Sequence, residues 1–140
     1  RLKTTPSSSR KIGSLDLSDE LKQYGAHNLL IWLNLKKGAK VISSNLVTFA
    51  RPKHLELKDP KIQYTIISSK PDQVTLELSA EKPALWVHLD HPDLDLQWSD
   101  NIIHLSPHQK VTIKAQSTES IYMKRFKQNL KIKSLFDTYE

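Results

Sequence analysis

Val74-Thr75-Leu76-Glu77-Leu78-Ser79-Ala80, then Glu81-Lys82-Pro83, then Ala84-Leu85-Trp86-Val87-His88-Leu89: this stretch decides the fold class. In its first part Val74, Leu76, Leu78 and Ala80 alternate with Thr75, Glu77 and Ser79, a period of two that predicts a strand with one face buried and the other wet. In its last part Leu85, Val87 and Leu89 alternate with Trp86 and His88. The Glu81-Lys82-Pro83 set between them is turn chemistry, because Pro presets its backbone angle and has no N–H for a ladder.

Outward from this pair the same signature recurs. Over residues 29–36, Leu29, Ile31, Leu33 and Leu35 alternate with Leu30, Trp32, Asn34 and Lys36. Residues 62–68 place Ile62, Tyr64 and Ile66 on one side. Leu94, Leu96 and Trp98 alternate with Asp95 and Gln97, and Val111, Ile113 and Ala115 with Thr112 and Lys114. Turns are predicted at Lys37-Gly38, Asp59-Pro60, Lys70-Pro71-Asp72, His91-Pro92-Asp93 and Ser106-Pro107-His108. Strands spaced about 8–12 residues apart, with no long helix between them, predict an all-β antiparallel sandwich of roughly seven to nine strands.

Two short helices interrupt this pattern. One is predicted over residues 19–24, with Ser18 as N-cap, Asp19 and Glu20 in the first turn and Gly25 just past the end. The other is predicted over residues 119–128, capped by Ser117 or Thr118, with Tyr122 and Phe126 at i,i+4 forming its buried side. A last strand follows through Leu130, Ile132 and Leu135.

The composition narrows the chemistry. The chain has 140 residues, and the absence of Cys excludes disulfide scaffolds, thiol nucleophiles and zinc fingers. A (β/α)₈ barrel needs about 250 residues and does not fit. No apolar run reaches the roughly 18–20 residues of a membrane-spanning helix, and no membrane partner is expected. The 3 glycines stand alone at positions 13, 25 and 38, so no glycine-rich phosphate cradle is available and no cofactor is expected. There is no GxSxG elbow, and Asp and Glu fall mainly in turns, helix starts and outward strand positions. No catalytic pair emerges from that distribution. Residues 1–14 read as a linker or interdomain tail and 15–140 as the sandwich domain. A start at Arg1 rather than Met leads us to expect a fragment of a larger enzyme. Absence of Cys fits cytosol, periplasm and lysosome equally.

The remaining polar and aromatic residues suggest four binding chemistries. The net charge of +6 concentrates only at Lys124, Arg125, Lys127, Lys131 and Lys133, which reads as a solvated basic face rather than a nucleic-acid interface. Asp90, Asp93 and Asp95 offer oxygen ligands for calcium, but without EF-hand spacing they read as turn residues that cap local backbone groups. His88 and His104 lie on different strands, and sequence does not bring them together as zinc ligands. Of Trp32, Trp86 and Trp98, Trp32 is the candidate for an exposed ring on which a sugar stacks; Trp98 shares its face with Leu94 and Leu96.

The residues also carry a family likeness. Ala84-Leu85-Trp86-Val87-His88-Leu89, followed by Trp98-Ser99-Asp100-Asn101-Ile102-Ile103-His104-Leu105-Ser106-Pro107, resembles the C-terminal immunoglobulin-like domain of β-mannosidases of glycoside hydrolase family 2. In that family a strand ending in Ser-Asp-Asn leads to Leu-x-Pro and then Gly-Glu, where this chain has His108-Gln109. Residues 49–60, with Pro52-Lys53-His54-Leu55-Glu56-Leu57-Lys58-Asp59-Pro60, are similar to the Pro-Lys-x-Leu-x-Leu-x-Asp-Pro segment of the same domain. Lys133-Ser134-Leu135-Phe136-Asp137-Thr138-Tyr139 resembles the ending of some members.

The likeness covers the chain from about Leu15 onward. It implies a parent enzyme that removes terminal β-linked mannose with retention, its two glutamates on a barrel outside this chain. It therefore assigns no catalytic residue here. It implies a structural role for Trp86, Trp98, Ser99, Asp100, Asn101 and Pro107, and partners that are the other domains of the parent glycosidase. The oligosaccharide substrate is met through that parent. An independent carbohydrate-binding module is the competing reading.

Overall fold

A computed structural model of the chain describes residues 6–139. Residues 1–5 of the expected tail, and Glu140, lie outside them. The described elements run α1 (Ser18–Tyr24), β1 (Leu30–Lys37), β2 (Lys40–Thr48), β3 (Gln63–Lys70), β4 (Gln73–Ser79) and β5 (Ala84–Asp90). They continue with β6 (Gln97–Trp98), β7 (Ile103–Leu105), β8 (Val111–Gln116), α2 (Met123–Asn129) and β9 (Lys131–Lys133). Single 3-10 turns stand at Pro52–His54 and Leu135–Thr138.

A four-stranded sheet in the order β3-β4-β8-β6 packs on a three-stranded sheet in the order β7-β5-β9, every pairing antiparallel. The two sheets form the antiparallel β-sandwich that the strand spacing predicts. Its core joins Val74, Leu76 and Leu78 of β4 and Ile113 and Ala115 of β8 to Val87 and Leu89 of β5 and Ile103 and Leu105 of β7. The alternation in the opening stretch is thus a true inside–outside code. On β4 only Thr75 departs from it, at 7% exposed, because a strand with neighbours on both edges hides its outer face as well.

The third sheet is the β1–β2 hairpin, whose strands pair only with each other. It supplies no residue to the sandwich core. Sequence marked β1 but not β2, since Ser43-Ser44-Asn45 breaks the apolar alternation and a bulge shifts the register after Leu35. The leucine side of β1 faces outward, Leu33 and Leu35 being 47% and 50% exposed, while Trp32 is partly buried. This reverses the expectation of an exposed Trp32. No second layer covers the leucine side among the described residues, whereas the other side turns toward the sandwich.

Both helices differ in detail from the prediction. Asp16, not Ser18, anchors the start of α1: its carboxylate accepts from the Ser18 N–H at 3.0 Å and the Ser18 hydroxyl at 2.6 Å. These two bonds hold the Asp16 carboxyl below the usual carboxylate range. Gly25 ends the helix with φ +76°. Helix α2 starts after Tyr122, whose backbone is extended, so Tyr122 and Phe126 do not share a face. Phe126 is buried and Tyr122 is 76% exposed. The predicted strand through Leu94 and Leu96 is reduced to Gln97–Trp98. Leu94, Leu96 and Trp98 still pack on the core, but without a ladder before Gln97.

Candidate functional site

The polar residues singled out in the sequence gather at the corner where the chain passes from β6 in one sheet to β7 in the other. Ser99 holds the departing end. Its N–H donates to the Lys114 carbonyl at 2.8 Å, and its hydroxyl oxygen accepts from the Lys114 N–H at 2.9 Å. The hydroxyl thus stands in for a strand carbonyl one residue beyond the β6–β8 ladder. Asp100 is exposed and caps the next amide, the Asn101 N–H, at 2.9 Å.

Asn101 reaches the central strand of the other sheet. Its Oδ1 accepts from the Leu89 N–H at 2.9 Å and its Nδ2 donates to the Leu89 carbonyl at 2.9 Å. The register explains the choice of residue. Val87 pairs with Ile103, so two residues along each strand Leu89 comes opposite Asn101. A side-chain carboxamide offers the same donor and acceptor as a peptide group, and here it substitutes for one. Oδ1 also accepts from the Ile102 N–H at 2.9 Å, supporting a left-handed Ile102 at φ 57°. A β-branched residue rarely takes that conformation.

The far end of β7 closes on Ser106-Pro107-His108-Gln109. The Gln109 N–H donates to the Ser106 carbonyl at 3.2 Å, and His108 takes φ 61°. Pro followed by a positive φ is the type II turn pattern, in which glycine is favoured at the His108 position. This chain keeps the backbone shape that the Gly-Glu pattern would favour while carrying His. Gln109 Oε1 accepts the Ser106 hydroxyl at 2.6 Å, and the His108 N–H donates to the Ala80 carbonyl at 2.9 Å.

Trp86 sits at the bulge that interrupts β5–β7 pairing, with φ 49°. Its backbone N–H donates to His104 Nδ1 at 3.2 Å, and the two rings meet edge to face at 5.7 Å. That bond leaves the proton of a neutral His104 on Nε2, and burial pushes its pKa below the ordinary histidine value. His104 therefore faces Trp86, while His88 is exposed opposite Lys133 of β9. Trp86 is partly buried but outside the core cluster; Trp98 packs against it.

Between the corner and the hairpin lies a cleft of 360 Å³ lined by Trp32, Asn45, Asp100, Ile102 and His104. The hairpin is tied to the sandwich beside a second, smaller hollow: the Glu56 N–H donates to the His27 carbonyl at 3.1 Å, and Asn28 Nδ2 donates to the Glu56 carboxylate at 2.8 Å. His27 Nδ1 donates to the His54 carbonyl at 2.6 Å.

The three aspartates are not gathered as ligands. Asp93 takes Arg125 Nε at 3.3 Å and the Asn129 amide, pinning the loop after β5 to α2. The Asn129 bond first, then Arg125, holds the Asp93 carboxyl below the usual range. Asp90 stands on β5 opposite Lys131, and Asp95 is exposed. Among the described residues no group of three or more His, Asp or Glu is placed to hold a metal ion. The basic residues divide between α2 and β9, with Arg125 already paired to Asp93. Sequence reasoning missed His91, which is 5% exposed, stacks on Phe126 at 5.5 Å and accepts the Asp93 N–H on Nδ1 at 3.3 Å. Only its place in a turn was legible.

Residues 57–138 match the family model Ig_mannosidase, described as an Ig-fold domain. Residues 1–54 match a second one, described as a mannosidase Ig/CBM-like domain. No curated protein matches the chain. Among solved structures, the β-D-mannosidase from Dictyoglomus thermophilum is similar with a TM-score of 0.64 and 23% sequence identity. That match covers 75% of this chain and 13% of the mannosidase chain, so the present chain spans a small part of the length of its structural relative. With the larger match extending over more than half of its length and its sandwich on the page, the chain belongs to the mannosidase Ig-fold domain family.

Proposed function

We propose that this chain is the non-catalytic, C-terminal scaffold of a larger retaining, exo-acting β-mannosidase of glycoside hydrolase family 2, which it stabilises by packing against neighbouring domains. The observation that carries this reading is the outward side of β1 in the β1–β2 hairpin, where Leu33 and Leu35 are each about half exposed. A lone two-stranded hairpin is marginal in water, and such a face gains stability only when covered. The match to 13% of a β-D-mannosidase supplies the class of its neighbour. The polar groups of the corner support the same reading, since Ser99 and Asn101 spend their side chains on backbone. We read residues up to about 54 as the closing segment of one module and the remainder as the next, in keeping with the two family models.

The test pairs two experiments. The chain alone should not hydrolyse a chromogenic aryl β-mannoside; turnover by it refutes the reading. In the intact parent, Leu33→Asp with Leu35→Asp should lower the melting temperature while leaving KM unchanged. A raised KM at unchanged melting temperature would place these residues at the substrate instead.

A further inference from the structure

The bulge in β5 creates a local pairing problem that one side chain solves. Ala84 pairs with Leu105 and Val87 with Ile103, so Leu85 and Trp86 together stand opposite His104 alone. Such a two-against-one arrangement disrupts the ladder and leaves the added residue without a regular partner. Here the Trp86 backbone N–H is met by His104 Nδ1 at 3.2 Å, and the indole meets the imidazole edge to face at 5.7 Å. Trp86 holds φ 49°, a left-handed conformation that a non-glycine residue keeps only where its surroundings fix it.

That bond depends on the protonation state of His104. A neutral imidazole accepts on Nδ1 and carries its proton on Nε2, whereas the imidazolium donates from both nitrogens and accepts on neither. Protonation therefore sets one N–H against another and breaks the bond to Trp86. Of the residues lining the cleft beside His104 only Asp100 is charged, and it is exposed, so water and salt screen its pull on an imidazolium. From the hairpin Trp32, Ser44 and Leu46 bring no titrating group to that cleft. On the outer face of β5 stands His88, exposed and opposite Lys133 of β9. The 3-10 turn that packs on β5 adds Asp137, whose carboxylate accepts the Ser134 N–H at 2.7 Å and hydroxyl at 2.9 Å, and Tyr139 follows it with its hydroxyl on the Pro52 carbonyl. Burial holds the His104 pKa below 6.5, so the bond is complete above that pH and is lost as pH falls through the lower folded value.

We propose that His104 is an acid-released catch: neutral, its Nδ1 fixes the Trp86 bulge; protonated, it lets the bulge go and loosens the β7 edge beside the hairpin. The place matters, because His104 and Trp32 line the same cleft, where the hairpin meets the sandwich. The catch is independent of the scaffold role and does not rest on it.

The test follows the 140-residue chain by NMR as pH falls from about 7.5 to about 4.5, reading the Trp86 backbone and indole N–H signals and the His104 ring nitrogens. Expected are a His104 ring with its proton on Nε2 at neutral pH, and one step in the Trp86 signals that shares its midpoint with the ring, below 6.5. His104→Asn sets an amide oxygen near the place of Nδ1 and does not titrate, so it should hold Trp86 and erase the step. At about pH 5 the Trp86 backbone amide should be roughly tenfold less protected from hydrogen exchange in the unsubstituted chain than in His104→Asn. His88→Asn, which removes the other imidazole of this face, should leave the step in place. A proton on Nδ1 at neutral pH, no step at Trp86 or a midpoint different from that of the ring overturns the proposal without any variant. A step that survives in His104→Asn, or vanishes in His88→Asn, overturns it as well.

Discussion

Replacing Asn101 by Ala should unfold this chain far more readily than its position in a surface corner suggests. The carboxamide makes two bonds to Leu89, both at 2.9 Å, and Leu89 is 1% exposed. Each bond contributes about 1 kcal/mol net, and a buried N–H or C=O left without a partner costs about 1–3 kcal/mol. Partial entry of water relieves some of that, so the expected loss is about 2–4 kcal/mol. Against a total stability of about 5–15 kcal/mol this is a large fraction. It should lower the melting temperature by about 10 °C. Asn101→Asp should be as damaging, since it keeps the acceptor for the Leu89 N–H but sets a second oxygen against the Leu89 carbonyl.

Asp100→Ala is the control. That side chain makes a single local bond in an exposed position, so its loss should cost about 1 kcal/mol or less. Guanidinium unfolding followed by tryptophan fluorescence measures all three variants. If Asn101→Ala lies within about 0.5 kcal/mol of the parent chain, or Asp100→Ala costs as much as Asn101→Ala, the peptide-substitute argument is wrong.

Other outcomes follow from the same structure. Asp93 has a lowered pKa, so its tie to α2 stabilises the fold above the unfolded value of 3.8 and is lost as pH falls through the folded value. Thermal melts of Asp93→Asn should therefore show a smaller loss of stability on acidification below 3.8 than the parent chain shows. His108→Gly should raise stability by about 0.5 kcal/mol in denaturant titrations, because relief of the left-handed strain outweighs the extra freedom of the unfolded chain. Phe126→Ala removes a fully buried ring that carries the His91 stack and should cost about 3–5 kcal/mol in the same titration, with a loss under about 1 kcal/mol refuting its place in the core.

Much of the sandwich was legible because each inner strand reports its own environment. Val74, Leu76 and Leu78 alternate with polar residues, and burial follows that alternation. The pattern failed where context replaced periodicity. Strand β2 carries Ser43-Ser44-Asn45 on a hairpin whose outward face is uncovered among the described residues, so no apolar repeat marks it. Leu94 and Leu96 sit on the core without ladder bonds, and alternation cannot distinguish packing from pairing. Tyr122 and Phe126 have helical spacing, but the helix begins one residue too late for both to face inward.

The sequence by itself determined the strand periods, the turns and the absence of thiol chemistry, since these depend on residue type and local spacing alone. It also marked Ser99-Asp100-Asn101 as a unit. Only the tertiary structure decided what that unit does: Asn101 and Leu89 are 12 residues apart, and nothing local says that a carboxamide will complete the backbone pairing of a distant strand. The same holds for the cleft between the hairpin and the corner, contributed by two sheets that share no strand. Side-chain chemistry is written in the chain, but which groups meet is set by how the sheets pack, and that follows from burial summed over the whole fold.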